Sequence, residues 1–143
     1  MSKELLLTAY ERGWNLHDAD ACADCFAFDG IREMRVRRSP DVAGPAGPAC
    51  GREEIRADIA LVMEAVPDLF VEVLGAAYAS DRRLWAEWRL TGTCARASRW
   101  GPARPLGVVG VSVFHLSNDG FLEERVYWDS AFASSPGNPG ARR

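Results

Sequence analysis

A chain of 143 residues is long enough for one domain with its own core, and too short for two of ordinary size. Apolar residues at 48% and charged residues at 26% are usual for a globular protein, and 17 Lys and Arg against 20 Asp and Glu leave a net charge of −3. That balance excludes a general electrostatic pull toward nucleic acid or an anionic membrane. The apolar run after Met1-Ser-Lys-Glu is too short for a signal peptide and no stretch is long enough to span a bilayer, so a cytoplasmic protein is expected.

In chain order, Leu6, Tyr10 and Trp14 recur at helical spacing, with Ala9 and Gly13 beside them, and predict a first helix with one apolar stripe. Asn15-Leu-His-Asp18 interrupts it; Asp18 suits the N-cap of a short second helix reaching about Phe26, and Asn15 suits a helix C-cap. Ile31-Arg-Glu-Met-Arg-Val-Arg37 alternates apolar and charged residues and predicts a half-exposed strand. Residues 39–48, rich in proline and glycine, predict a loop, a lid over a pocket mouth in functional terms. A third helix is predicted from about Arg52 to Val66, with Ile55, Ile59, Val62 and Val66 on one face and Pro67 closing it.

Beyond it the period changes to two. Asp68–Ala79, Arg83–Thr93, Leu106–Leu116 and Phe121–Ser130 are predicted strands, with tight turns at Asp81-Arg-Arg and Asn118-Asp-Gly120. Residues 94–105 form a basic connection carrying Arg96, Arg99 and Arg104, and residues 134–143 a tail expected to be disordered after a single domain of residues 1–133. Helices followed by antiparallel strands argue an α+β fold, its three N-terminal helices packed in a curved, mainly antiparallel sheet around an apolar cavity. Of the four cysteines, Cys22-Ala-Asp-Cys25 has the C-x-x-C form but lies in a helical pattern, and Cys50, Cys94, His17 and His115 stand at no zinc-finger spacing. The thiols are read as small buried hydrophobes, with no metal and no cofactor.

The candidate for chemistry is Asp129, which closes the segment Phe121-Leu-Glu-Glu-Arg-Val-Tyr-Trp-Asp129 among aromatic residues. A carboxylate in an apolar pocket gains a raised pKa because desolvation disfavours its charged form, and so becomes a general acid or base without a metal. His115 is the second candidate. With a two-residue Asp-Gly turn it falls opposite Glu124, away from Asp129; with a three-residue turn it falls opposite Glu123 and, unless a bulge intervenes, on the face of Asp129. Tyr10 and Trp14 present a hydroxyl and an aromatic wall from the first helix, with a plain core stripe as the alternative.

The set Tyr10…Trp14-Asn15…Asp18, Gly51-Arg-Glu-Glu-Ile55, Gly92-Thr93 and Val113-Phe114…Asp119-Gly120…Tyr127-Trp128-Asp129 resembles the SnoaL-like polyketide cyclase branch of the NTF2-like, or ketosteroid-isomerase-like, superfamily. The resemblance covers the chain up to about Phe132. It implies a cone-shaped α+β fold with a deep apolar pocket, a hydrophobic small-molecule substrate, and a homodimer formed through the outer face of the sheet. Three pocket designs follow from it. The isomerase design needs a carboxylate just before a proline, where this chain has Arg37-Arg-Ser-Pro40. The limonene-epoxide-hydrolase design needs two carboxylates bridged by an arginine; Asp129 matches the last, and Glu87 and Arg89 share a strand face, though in a different order. The cyclase design needs one aspartate at the place of Asp129, closing a ring by aldol condensation without a metal. The resemblance therefore implies a lyase- or isomerase-type enzyme with Asp129 and His115 catalytic and with Tyr10, Trp14, Trp88, Arg89 and Tyr127 binding substrate. The alternatives are a non-catalytic ligand carrier, an epoxide-hydrolase-like enzyme, and an interaction domain dimerising through its sheet.

Overall fold

The computed structural model describes residues 2–35, 47–94 and 104–128. Helices α1 (Lys3–Asn15), α2 (Ala19–Ala23) and α3 (Arg52–Ala65) pack on one face of a sheet built from β1 (Phe26–Met34), β2 (Ala49–Cys50), β3 (Phe70–Ser80), β4 (Arg83–Cys94), β5 (Arg104–Ser117) and β6 (Gly120–Tyr127). The sheet runs β2-β1-β6-β5-β4-β3, antiparallel except for the parallel pair of β1 and β6. This is the expected α+β architecture, with a mixed sheet. No helix among the described residues is long and apolar enough to cross a membrane.

Local chemistry explains most of the boundaries. The Asp18 side chain accepts the Ala21 N–H at 3.0 Å and starts α2, as its cap position predicts. Asn15 does something other than capping. Its amide donates to the Val71 carbonyl at 2.8 Å and accepts the Val71 N–H at 2.7 Å, while Glu11 accepts the Val73 N–H at 2.8 Å. Strand β3 lies at the sheet edge, so its outward backbone groups need partners, and α1 supplies them with side chains. The helix is thereby clamped over the sheet at a fixed height, which sets the roof of the cavity.

Two strands depart from the expected pattern. Strand β1 begins at Phe26, five positions before the predicted start at Ile31, because Phe26 and Ala27 are buried and belong to the core rather than to a longer α2. Its register against β6 shifts between Phe26 and Ile31. The shift reverses what alternation suggests: Ile31 is exposed, and the Arg32 side chain points into the core. The β5–β6 hairpin closes on Asn118 and Asp119, with Ser117 opposite Gly120 at φ +126°, a backbone conformation suited to glycine. A second irregularity follows, for Leu116 faces Phe121 whereas His115 faces Glu123, leaving Leu122 as the additional residue. The proline-rich connection at 39–48 falls outside the described residues except for Gly47 and Pro48; Arg96, Arg99, Asp129 and the tail at 134–143 also fall outside them.

Candidate functional site

The concave face of the sheet and the inner side of α1 enclose a cavity walled chiefly by apolar side chains. Helical spacing brings Leu7, Tyr10 and Trp14 to it from α1, and alternation brings Trp88 from β4, Ser112 and Phe114 from β5, and Glu124 and Val126 from β6. Arg32 and Met34 enter from β1, and Trp128 closes the described chain against the same space.

In the wall of this cavity lies a polar cluster that the sequence pattern did not announce. Glu124, only 3% exposed, accepts three hydrogen bonds: from the Tyr10 hydroxyl to Oε1 at 2.6 Å, from Arg32 Nε to Oε1 at 3.0 Å, and from the Ser112 hydroxyl to Oε2 at 2.6 Å. Arg32, 5% exposed, also donates through Nη1 to Asp58 Oδ2 at 2.6 Å, and its guanidinium lies 5.6 Å from the centre of the Trp14 ring. Trp88 Nε1 donates to the Ser112 oxygen at 2.9 Å. A buried charge is tolerated only when paired and hydrogen-bonded, and here carboxylate and guanidinium satisfy each other. Asp58 holds Arg32 from α3, outside the cavity wall.

The electrostatics favour one protonation pattern. Burial, reinforced by the Glu124 carboxylate, holds the Tyr10 phenol well above its ordinary pKa, so Tyr10 remains a donor. Burial works against the charge on Arg32, but the carboxyl groups of Glu124 and Asp58 beside it outweigh that cost and hold the guanidinium firmly protonated. The cluster thus presents a carboxylate, a fixed cation and a phenol to a largely apolar chamber. The Tyr10 ring makes edge-on contacts with Phe26, Phe114 and Phe121 at centroid distances of 5.6, 6.0 and 5.3 Å, which leaves its hydroxyl little freedom.

Of the expected site residues, the fold brings Tyr10, Trp14 and Trp88 together around the cavity. It does not bring His115, Arg89 or Tyr127 there. His115 faces Glu123 and Arg83, Tyr127 faces Val111, and Arg89 pairs with exposed Glu72 at 3.2 Å, all on the outer side of the sheet. The physical reason is parity. On β4 and β5 the even-numbered residues point inward, and the irregularity at Leu122 puts the odd-numbered residues of β6 that follow it on the outer side. Glu87 shares a face with Arg89, as alternation requires, but that face is the exposed one. The arginine between two carboxylates is instead Arg32, between Asp58 and Glu124. Asp129 lies outside the described residues, next to Trp128.

Arg32, Glu124 and Asp58 were missed because each has charged neighbours that resemble a solvated surface, and Ser112 because a lone small hydroxyl in an apolar strand carries little signal. The available signal was numerical: in a strand with one added residue, either Glu123 or Glu124 must point inward. Cys22 and Cys25 are both buried; burial raises both thiols, Cys25 to about 11, which makes them poor nucleophiles.

Comparison with known proteins agrees with this geometry. The profile of the SnoaL-like domain matches residues 7–124. No curated protein matches the sequence. Among solved structures, a protein of ketosteroid-isomerase-like fold from Catenulispora acidiphila, solved in complex with trimethylamine, superposes with a TM-score of 0.73 at 20% identity, over 97% of this chain and 96% of that one. A protein from Jannaschia sp. CCS1 with the provisional name SnoaL-like polyketide cyclase gives 0.73 at 19% identity, over 95% and 92%. SalBIII, an epoxide hydrolase/cyclase-like enzyme of pyran ring formation in the polyether salinomycin, gives 0.67 at 20% identity, over 87% and 88%.

Proposed function

The chain belongs to the SnoaL-like domain family, and on that premise we propose that it performs cofactor-free acid–base chemistry, an aldol-type cyclisation or an isomerisation, on a small hydrophobic carbonyl compound. The observation that carries this is the Tyr10–Glu124–Arg32 cluster, buried in the wall of a largely apolar cavity. An apolar chamber with a few convergent polar groups is the usual form of a small-molecule site.

The proposed chemistry assigns the base to Asp129, which follows the cavity-lining Trp128 in the chain. Its carboxylate removes a proton from carbon next to a carbonyl, and the electron pair moves onto that oxygen as an enolate. The enolate carbon then attacks a second carbonyl, and the alkoxide so formed recovers the proton from the carboxylic acid. The fixed Arg32 cation lowers the energy of the developing negative oxygen in a chamber of low dielectric. Glu124 is less suited to the base role, since three donors already engage its two oxygens. It orients Tyr10, Ser112 and Arg32.

The test is Asp129→Asn, measured for both affinity and turnover with a polycyclic keto ester. Lost turnover with retained affinity supports the assignment; unchanged turnover removes Asp129 from the mechanism. Non-catalytic ligand binding is the second reading, and the full engagement of Glu124 favours it. Affinity for the keto ester with no turnover by the unaltered protein would decide for it. An epoxide-hydrolase-like reaction is less favoured, because only one of the two carboxylates bridged by Arg32 lines the cavity: Glu124 does, and Asp58 does not.

We also propose a cytoplasmic homodimer joined through the outer face of the sheet, where Phe70, Trp85, Val109 and Tyr127 are exposed. Trp85, half exposed at 50%, stands near the start of β4. Trp85→Glu should convert a dimer to a monomer in sedimentation, and an unaltered protein that sediments as a monomer would end the proposal.

A further inference from the structure

We propose that Trp88 sets the size of ligand the cavity accepts, as a wall pinned by Ser112 at one end and seated over Gly110 at the other. This rests on the cavity being the ligand site. The β4–β5 register places Trp88 directly opposite Gly110, both on the inner side of the sheet. A Cβ at Gly110 would lie 2.5 Å from the Trp88 ring atoms Cζ2 and Cη2, and 2.9 Å from the Tyr127 carbonyl oxygen. Real contacts are never that short, so the indole occupies the place where a side chain at 110 would stand. Gly110 is not among the glycines with positive φ, so close approach of the ring, rather than backbone conformation, requires glycine there.

The nitrogen side of the ring is fixed by chemistry. An indole N–H only donates, so the Ser112 oxygen accepts it at 2.9 Å, and the single Ser112 proton is directed to Glu124 Oε2 at 2.6 Å. The β5 backbone beneath Gly110 blocks movement outward, and rotation inward breaks the bond to Ser112 and strands a donor away from water. The Trp128 ring, 6.2 Å away and tilted by 55°, continues the same wall. An apolar ligand therefore meets a fixed boundary rather than a side chain that swings aside.

The experiment is isothermal titration calorimetry with cyclohexanone, 1-tetralone and 9-fluorenone, neutral ketones of one, two and three rings. It compares the unaltered protein with Trp88→Ala, Trp88→Phe and Gly110→Ala, each checked for folding by circular dichroism. Trp88→Ala should improve fluorenone binding relative to cyclohexanone by about tenfold or more. Trp88→Phe, which keeps a ring but loses the bond to Ser112, should shift the same ratio by less. Gly110→Ala should lift the indole into the cavity and weaken fluorenone and tetralone more than cyclohexanone. Because that variant also crowds the Tyr127 carbonyl, the two Trp88 variants suffice for the test if it does not fold. Ketones that bind with the same size ranking in both Trp88 variants would overturn the wall and leave the cavity as the ligand site. No binding of any ketone, to the unaltered protein or to Trp88→Ala, would overturn both.

Discussion

The two faces of one sheet follow opposite rules in this protein, though the same strands build both. On the inner face, β4, β5 and β6 contribute apolar side chains and a few polar ones, and every polar group of the Glu124 cluster has a partner. On the outer face, charged residues such as Glu72, Glu87 and Arg89 stand beside exposed Phe70, Trp85 and Val109. The ion pair there, Arg89 with Glu72 at 3.2 Å, has both side chains about half in water. The ion pair inside, Arg32 with Glu124 at 3.0 Å, has almost no water. Similar geometry therefore carries different energies, because desolvation decides what removing one partner leaves behind.

The largest contrast should come from breaking each pair. Arg32→Met leaves Glu124 buried without its cation and should cost about 3–5 kcal/mol in urea denaturation. A loss no greater than that of Arg89→Ala would erase the distinction between the faces. Replacing both charges, Arg32→Met with Glu124→Leu, should recover much of the loss, since an apolar pair avoids the desolvation cost. No recovery would mean that the cluster is held by more than pairing.

Tyr10→Phe removes one donor to a charged acceptor and should cost about 1.5–3 kcal/mol. Its pH dependence has a definite sign. Because the folded pKa is raised above the ordinary 10.0, the phenol's contribution is complete below about pH 10 and is lost as pH rises from there through the folded pKa. Denaturation curves of the unaltered protein and the Phe variant should converge above pH 10; a constant gap would place the hydroxyl's contribution elsewhere.

On the outer face effects should be small. Arg89→Ala should change stability by less than about 1 kcal/mol and leave ligand affinity unchanged. His115→Ala should likewise leave affinity for a cavity ligand unaltered, and a large loss would show that the outer face communicates with the inner one.

Much of this protein was legible in its sequence. Helical spacing of Leu6, Tyr10 and Trp14, the Asp18 cap, the apolar face of α3 and the change to a period of two located the elements, because each depends on neighbours within a few residues. The same local pattern led Tyr10, Trp14 and Trp88 to the cavity. What tertiary structure alone decided was the parity of β1 and β6. One irregularity in each strand turns Arg32 and Glu124 inward and sends Ile31 and Tyr127 outward. A one-residue shift costs little locally, yet it exchanges the two faces of a strand, and which face is buried depends on helices packed from distant parts of the chain.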